Sequence, residues 1–237
     1  MFHLAIDIGN TRIKAAFFDK EQLIEKSTFS ERASLLSWIK RREVSKAIVC
    51  NVGEETELSF RFPTLLFGSE AVKLPISNFY KTPQTLGKDR LAGVIGATAI
   101  MPNKNCLVID AGTCITYDFV TAGGEYLGGA ISPGMEMRFK ALNHFTARLP
   151  LVKAETDKAE LIGKTTVQSI RSGVINGIKF EMEKAMEEYA ELYKDLKVLL
   201  SGGDGHFFES IIKGDIFAFP DLVLLGLNHT LLHNAHS

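Results

Sequence analysis

Two short stretches place an acidic side chain, a glycine and a hydroxyl directly after an apolar run. They are Ile6-Asp7-Ile8-Gly9-Asn10-Thr11 and, in the second half of the chain, Ile109-Asp110-Ala111-Gly112-Thr113. A glycine lets the chain turn tightly and lets a ligand approach the backbone. Successive backbone N–H groups in such a turn form a concavity suited to an anion, and Asn10 and Thr11 add side-chain donors. Asp7, at a strand end, can hold Mg2+ directly or through its waters. Asn and Gly also favour plain hairpin turns, so either stretch alone is compatible with an ordinary connection. The matched pair is more informative. Two aspartates at one phosphate site require cations, which points to a polyphosphate handled with metal ions.

A second constellation is Gly87-Lys88-Asp89-Arg90, at the start of a helical pattern. The positive end of a helix dipole favours a carboxylate there, so Asp89 can accept a proton. Arg90 can grip a substrate carboxylate in bidentate fashion. The same residues would also make an unremarkable charged first turn. Leu199-Leu200-Ser201-Gly202-Gly203-Asp204-Gly205 reads as a strand breaking into a glycine-rich turn, a place where phosphorylated ligands approach and where plain connections also occur. His229 and His233 are spaced by one helical turn but have no third ligand nearby in sequence, and read as helix-surface residues.

The elements that must position these residues alternate between strand and helix. Leu4–Ile8, Ile13–Phe18 and Ala47–Cys50 read as strands, and residues 30–42 as an amphipathic helix. Lys88–Met101 reads as a helix ended by Pro102. Leu107–Ile109, Ile115–Val120 and Tyr126–Ile131 give further strands, and Ser132-Pro133 is expected to open a helix, serine as N-cap and proline in its first turn. The longest helical pattern covers about residues 165–194, with Val167, Ile170, Val174, Ile178, Met182, Ala185, Tyr189 and Leu192 at steps of three or four. Lys197–Leu200 reads as a strand and Asp221–His233 as a closing helix. Each Asp-x-Gly stretch leads into a return strand. That echo suggests two similar halves, residues 1–104 and 105–237, joined near Pro102–Asn105.

Composition excludes several classes. A formal net charge of −1 over 237 residues does not suit a nucleic-acid binder. The three cysteines, Cys50, Cys106 and Cys114, are widely spaced and form neither a disulfide framework nor a zinc site. Cys50 and Cys106 lie beside apolar runs and read as small core residues. No run approaches the about 18 apolar residues of a membrane span, and Asp7 interrupts the apolar N-terminus. The expected location is cytoplasmic.

The ordered set Asp7-x-Gly9-Asn10-Thr11, Gly87-x-Asp89-Arg90, Asp110-x-Gly112-Thr113 and Gly128-Gly129-x-Ile131-x-Pro133-Gly134 resembles the type III pantothenate kinases, as does Thr146-Ala147-x-Leu149-Pro150. Single motifs are shared with the wider actin–hexokinase–heat-shock ATPase superfamily, but the set in this order is more specific. The resemblance implies an α/β fold of two ribonuclease-H-like domains with the nucleotide cleft between them. It implies ATP contacts at Asp7, Ile8, Gly9, Asn10, Thr11, Arg12, Ile13 and Lys14 and at Thr113. Asp7 would serve Mg2+ and Asp110 a monovalent cation, K+ or NH4+. It further implies Asp89 as proton acceptor and a pantothenate pocket lined by Tyr80, Gly87, Lys88, Asp89 and Arg90. A threonine early in the long helix completes that pocket: Thr166 fits the spacing to Gly163, with Thr165 adjacent. Members resemble one another in being homodimers, and Gly173 and Gly177 would permit close helix approach. Cys114, where many members carry alanine, and Lys88, in the motif's variable slot, are the departures.

The expected activity is transfer of the ATP γ-phosphate to the primary hydroxyl of pantothenate, giving 4′-phosphopantothenate, the first step of coenzyme A synthesis. The competing expectations are a non-catalytic nucleotide-binding regulator on the same fold and another small-molecule kinase of the superfamily. A regulator has no use for Asp7, Asp89, Arg90 and Asp110 together, and Tyr80 with Gly87–Arg90 disfavours a sugar or acetate kinase.

Overall fold

The computed structural model describes residues 1–9, 11–51, 60–153 and 158–235. The chain divides into two compact units.

The first unit takes in Met1–Asn103, Val120–Leu127 and the chain from Asp221 onward. Its sheet is built from β1 (Phe2–Ile8), β2 (Ile13–Asp19), β3 (Gln22–Phe29), β4 (Val44–Asn51) and β5 (Thr64–Leu66), in the order β3-β2-β1-β4-β5. β1 pairs antiparallel with β2 and parallel with β4. Leu4 through Ile8 of β1 are all buried, the mark of a strand covered on both faces. Leu4, Ile6 and Ile8 share a core with Leu35, Trp38 and Ile39 of α1 (Arg32–Ile39), where the Phe17 and Trp38 rings stack at 4.3 Å. Fully burying one such apolar side chain contributes about 1.5–3 kcal/mol.

The alternate residues Ala5, Asp7, Ile48 and Cys50 point to the other face. α6 (Leu222–His233) packs against β1 there, and it also packs on α2 (Lys88–Ile100). The approach of α2 to α6 is close enough that a side chain at Gly96 would meet the Leu222 carbonyl, and one at Gly226 the Ala92 carbonyl. The two-residue β6 (Ser77–Asn78) pairs parallel with Glu125 and Tyr126.

The second unit comprises Lys104–Phe119 and Gly128–Pro220. Its strands are β7 (Cys106–Ala111), β8 (Cys114–Val120), β9 (Glu125–Pro133), β10 (Lys197–Ser201) and β11 (Ile216–Ala218), ordered β11-β10-β7-β8-β9. The helices are α3 (Met135–His144), α4 (Thr166–Leu192) and α5 (Gly205–Glu209). Ile170, Val174, Ile178 and Met182 of α4 pack on Leu107, Ile109, Ile115 and Tyr117 of the sheet.

Several expectations differ from what is observed. The units are not the contiguous halves 1–104 and 105–237, because α6 returns to pack on α2 in the first unit. Ser132 and Pro133 do not open a helix. They end β9, and Gly134 is the N-cap residue of α3 without a side-chain cap bond. The reason is that Ser132 Oγ and the Pro133 carbonyl both accept hydrogen bonds from Arg138 at 2.8 Å. Val167 and Leu192, at the ends of the α4 stripe, are 44% and 73% exposed. β3 carried no clear sequence signal because Glu25 and Ser27 occupy two of its half-buried positions. The Glu25 carboxylate is satisfied there by Trp38 Nε1 at 3.0 Å and by Arg42 at 2.9 and 3.0 Å. The hydrogen bond from Arg42, then that from Trp38, hold its carboxyl below the usual range.

Candidate active site

In the first unit the β1–β2 hairpin positions the expected phosphate loop. Asp7 lies one residue from the end of β1, 9% exposed, directly across from Lys14 on β2 and beside Cys50 on β4. Directly opposed residues of an antiparallel pair project to the same face, so Lys14 can balance a carboxylate and reach an anion. The Gly9 N–H donates to the Arg12 carbonyl at 3.1 Å, closing the turn. Thr11 and Arg12 are exposed. Ile8 and Ile13 are core residues, so a ligand can meet only their main chain. Asn10 lies outside the described residues.

The start of α2 meets the same end of the sheet. Burial pushes the Cys50 thiol upward, and the charges of Asp7 and then Asp89 add to the rise while Lys88 offsets it. Asp7 stands in register beside Cys50, and the Asp89 charge acts on the same thiol. Asp89 is exposed, and its Oδ1 accepts the Arg90 backbone N–H at 2.9 Å, leaving Oδ2 for a substrate group. A Cβ at Gly87 would stand 2.6 Å from Asp89 Oδ1, so glycine is what lets the carboxylate keep this position. Lys88 is exposed at its head and lays its stem on Gly68, with Cε 3.1 Å from where a Cβ would be.

Arg90 is 8% exposed, with its guanidinium carbon 5.8 Å from the Tyr80 ring centroid. Tyr80 stacks in turn on buried Tyr126 at 6.1 Å, and its backbone N–H donates to Asn78 Oδ1 at 2.9 Å. Tyr126 and Asn78 were not foreseen as parts of the site. Nothing in the sequence links Tyr126 to Tyr80, since that contact depends on β6 pairing with β9. Asn78, by contrast, lies two residues away and makes a local side-chain turn that its residue type could have signalled.

In the second unit Asp110 occupies the corresponding place on β7, half-buried, with Ser201 beside it in register on β10. The Gly112 N–H donates to the Cys114 carbonyl at 2.9 Å, and Thr113 is exposed at the tip. Two glycine corners brace this turn. Gly134 donates its N–H to the Thr113 carbonyl at 3.1 Å, and a Cβ there would strike the Gly112 and Thr113 carbonyls. Gly202, at φ +93°, lies against Ala111, whose carbonyl accepts the Asp204 N–H at 2.9 Å. Burial pushes the Asp204 carboxyl up, and Glu136 adds to it. At the head of α4, Thr165 Oγ1 accepts the Gln168 N–H at 3.2 Å, while Gln168 Oε1 accepts the Lys164 N–H at 2.9 Å. Thr165 is thus engaged as a cap, and Thr166 stands exposed as the first helical residue.

Among the described residues no three His, Cys, Asp or Glu side chains cluster as a metal cage. Asp7 near the end of β1 offers one carboxylate, and Mg2+ binds through one or two carboxylates plus phosphates while keeping several waters. Asp110, half-buried and with Ser201 beside it in register, offers oxygen donors of the hard type. Among the described residues no helix is long and apolar enough to cross a membrane.

Comparison with known proteins places the chain in a family. Residues 3–188 match the family model described as type III pantothenate kinase. A type III pantothenate kinase of Cytophaga hutchinsonii is 41% identical over 98% of this chain and 99% of its own. One from Phocaeicola vulgatus is 44% identical over 98% of each. Among solved structures, a Baf-family protein from Campylobacter jejuni superposes with a TM-score of 0.66 at 24% identity, covering 99% of this chain and 100% of that one. The activator of 2-hydroxyisocaproyl-CoA dehydratase from Clostridium difficile, solved with ADPNP, gives 0.58 at 13% identity, covering 100% and 96%. These two show likeness of fold alone.

Proposed function

Because the chain belongs to the type III pantothenate kinase family, with the fold of the actin-like ATPases, we propose a division of labour among its residues in phosphorylating pantothenate with ATP. The observation that carries it is the Tyr80–Arg90–Asp89 cluster at the start of α2. A mostly buried guanidinium under an aromatic ring suits a small acid with an apolar body. The neighbouring carboxylate has one oxygen fixed and the other available to a hydroxyl.

In this reading Arg90 orients the pantothenate carboxylate, Tyr80 packs on its body, Gly87 and Lys88 line the pocket, and Thr166 is assigned as a further pantothenate contact. Asp89 Oδ2 accepts the hydroxyl proton as the oxygen attacks the γ-phosphorus and ADP leaves. Asp7, the Gly9 turn, Thr11, Arg12 and Lys14 hold the phosphates, as do the main chain of Ile8 and Ile13 and the Asn10 side chain, with Thr113 a further ATP contact. Asp7 would hold Mg2+ and Asp110 K+ or NH4+, and these ions would supply positive charge to the phosphates. The working form is a cytoplasmic homodimer. In support of the dimer, Gly173 and Gly177 of α4 have open space where a side chain would stand, and Leu161 and Ile162 are 69% and 77% exposed. Light scattering over a concentration series tests it, a monomer throughout being the adverse result.

The test of activity is ADP release by the purified chain with ATP, Mg2+ and KCl, with pantothenate or a panel of sugars and hydroxy acids as acceptor. Pantothenate-dependent release and a phosphorylated product of the right mass are expected. Folded protein that releases no pantothenate-dependent ADP refutes the reading.

A further inference from the structure

The corner between β9 and α3 is held by one side chain with several partners. Arg138 donates from Nε to the Pro133 carbonyl at 2.8 Å, and from Nη2 to Ser132 Oγ at 2.8 Å and to the Glu181 carboxylate. Its backbone N–H donates to the Gly134 carbonyl at 3.0 Å. Glu181, on α4, also accepts the Tyr117 hydroxyl at 2.9 Å. Burial pushes the Glu181 carboxyl up, but the hydrogen bonds from Arg138, Tyr117 and Ser132 outweigh it and the net direction is down. The network therefore ties β8, the end of β9, α3 and α4 to the three residues Ser132–Gly134.

Gly134 is the residue that reaches the Gly112–Thr113 turn, through its N–H and through an approach that leaves no room for a Cβ. A shift of that corner is passed directly to Thr113. We propose that Arg138 is a positioning residue for the nucleotide: it locks the Ser132–Gly134 corner and thereby the turn that presents Thr113. This rests on the reading of Thr113 as an ATP contact. A planar guanidinium can serve three acceptors in fixed directions, whereas an ammonium at the same place is a point charge that cannot reach all three.

The test compares full-length wild type, Arg138→Lys, Arg138→Met, Thr113→Val and Val174→Ala by steady-state kinetics, calorimetric MgATP titration and thermal melting. Arg138→Lys keeps the charge facing Glu181, so its Tm stays within about 3 °C of wild type. Its KM for ATP nevertheless rises about ten-fold, with kcat and the pantothenate KM within about two-fold, since a displacement of even about 1 Å is costly at such a site. Arg138→Met shows the same split more strongly. If it does not fold, Arg138→Lys decides alone. Val174→Ala opens a cavity in the same unit, and should lower Tm while leaving the ATP KM unchanged. Normal ATP affinity in the Arg138 variants, with weakened affinity in Thr113→Val, overturns the positioning role and leaves the Thr113 contact standing. Normal affinity in Thr113→Val as well removes the contact and the proposal together. A rise in ATP KM in Val174→Ala equal to that of the Arg138 variants reduces Arg138 to a stability residue and also overturns it.

Discussion

Replacing Asp89 with asparagine removes a base and a charge while keeping the shape of the side chain. The Asn oxygen can still accept the Arg90 N–H that Asp89 Oδ1 accepts at 2.9 Å, so the start of α2 stays built. The lost interaction of a carboxylate with the helix N-terminus is about 0.3–1 kcal/mol. For a chain of this size that lowers Tm by no more than about 4 °C. The kinetic effect is larger. A positioned general base contributes about 10²–10⁴-fold, or roughly 2.7–5.4 kcal/mol of barrier. Phosphoryl transfer has a loose transition state in which the attacking hydroxyl gives up its proton late, which pulls the expected loss towards the lower end of that range. The outcome should be a kcat lowered about 100-fold or more, with MgATP affinity within about two-fold of wild type. Coupled ADP release at saturating ATP and pantothenate gives the first quantity and calorimetry the second. Retention of more than about a tenth of wild-type kcat would show that another group takes the proton. Loss of MgATP binding in parallel would show that the substitution disturbs the site generally.

Gly87→Ala places a Cβ 2.6 Å from Asp89 Oδ1, so the carboxylate must swing away; kcat should fall at least about ten-fold with Tm nearly unchanged, because the atom that yields is the end of a side chain. Gly96→Ala meets a backbone carbonyl instead, that of Leu222, and thermal melting should show a loss of about 1–3 kcal/mol as α6 is pushed off α2. The Asp204 carboxyl, raised above its ordinary value of 3.8 by burial and then by Glu136, costs stability when ionised. That cost is fully present above the raised folded value and absent below the unfolded one, so Asp204→Asn should raise Tm at pH 8 and lose its advantage as the pH falls below 3.8. Activity should depend on KCl over NaCl or choline chloride at fixed ionic strength, and Asp110→Asn should lose that dependence; equal wild-type rates in all three salts remove the cation from Asp110.

The residues proposed to do chemistry can be read from the sequence where they are near neighbours along it. Asp7 to Lys14 is one hairpin, and Gly87 to Arg90 is one helix start, so each motif carries its own geometry. What escaped depends on pairings between distant segments. Tyr126 supports Tyr80 only because β6 pairs with β9, and the helix start expected at Ser132-Pro133 moved to Met135 because Arg138 claims the Ser132 and Pro133 oxygens. β3 escaped for a related reason: Glu25 is a poor strand signal until Trp38 and Arg42 from elsewhere satisfy it. The choice left open between Thr165 and Thr166 narrows through the same kind of information, since capping by Thr165 is a backbone contact visible only once the helix start is fixed.

The two Asp-x-Gly turns share residue types but not geometry, and the difference bears on what each can do. The first turn separates β1, ending at Ile8, from β2, beginning at Ile13, and closes with Gly9 N–H on the Arg12 carbonyl. Its Thr11 and Arg12 side chains are exposed. The second lies between Ala111 and Cys114, closes with Gly112 N–H on the Cys114 carbonyl, and is flanked by Gly134 and Gly202 at distances that admit no side chain. The first turn exposes side-chain donors at Thr11 and Arg12, whereas the second is short and wedged between two glycine corners. Preorganisation matters most where a fixed dipole or hydroxyl must meet a charge without rearranging. The second turn has that character, and the close approach that constrains it comes from Gly134 and Gly202 rather than from its own sequence. That dependence is why Asp110-x-Gly112-Thr113 reads as a repeat of Asp7-x-Gly9 in one dimension and becomes a differently constrained element in three.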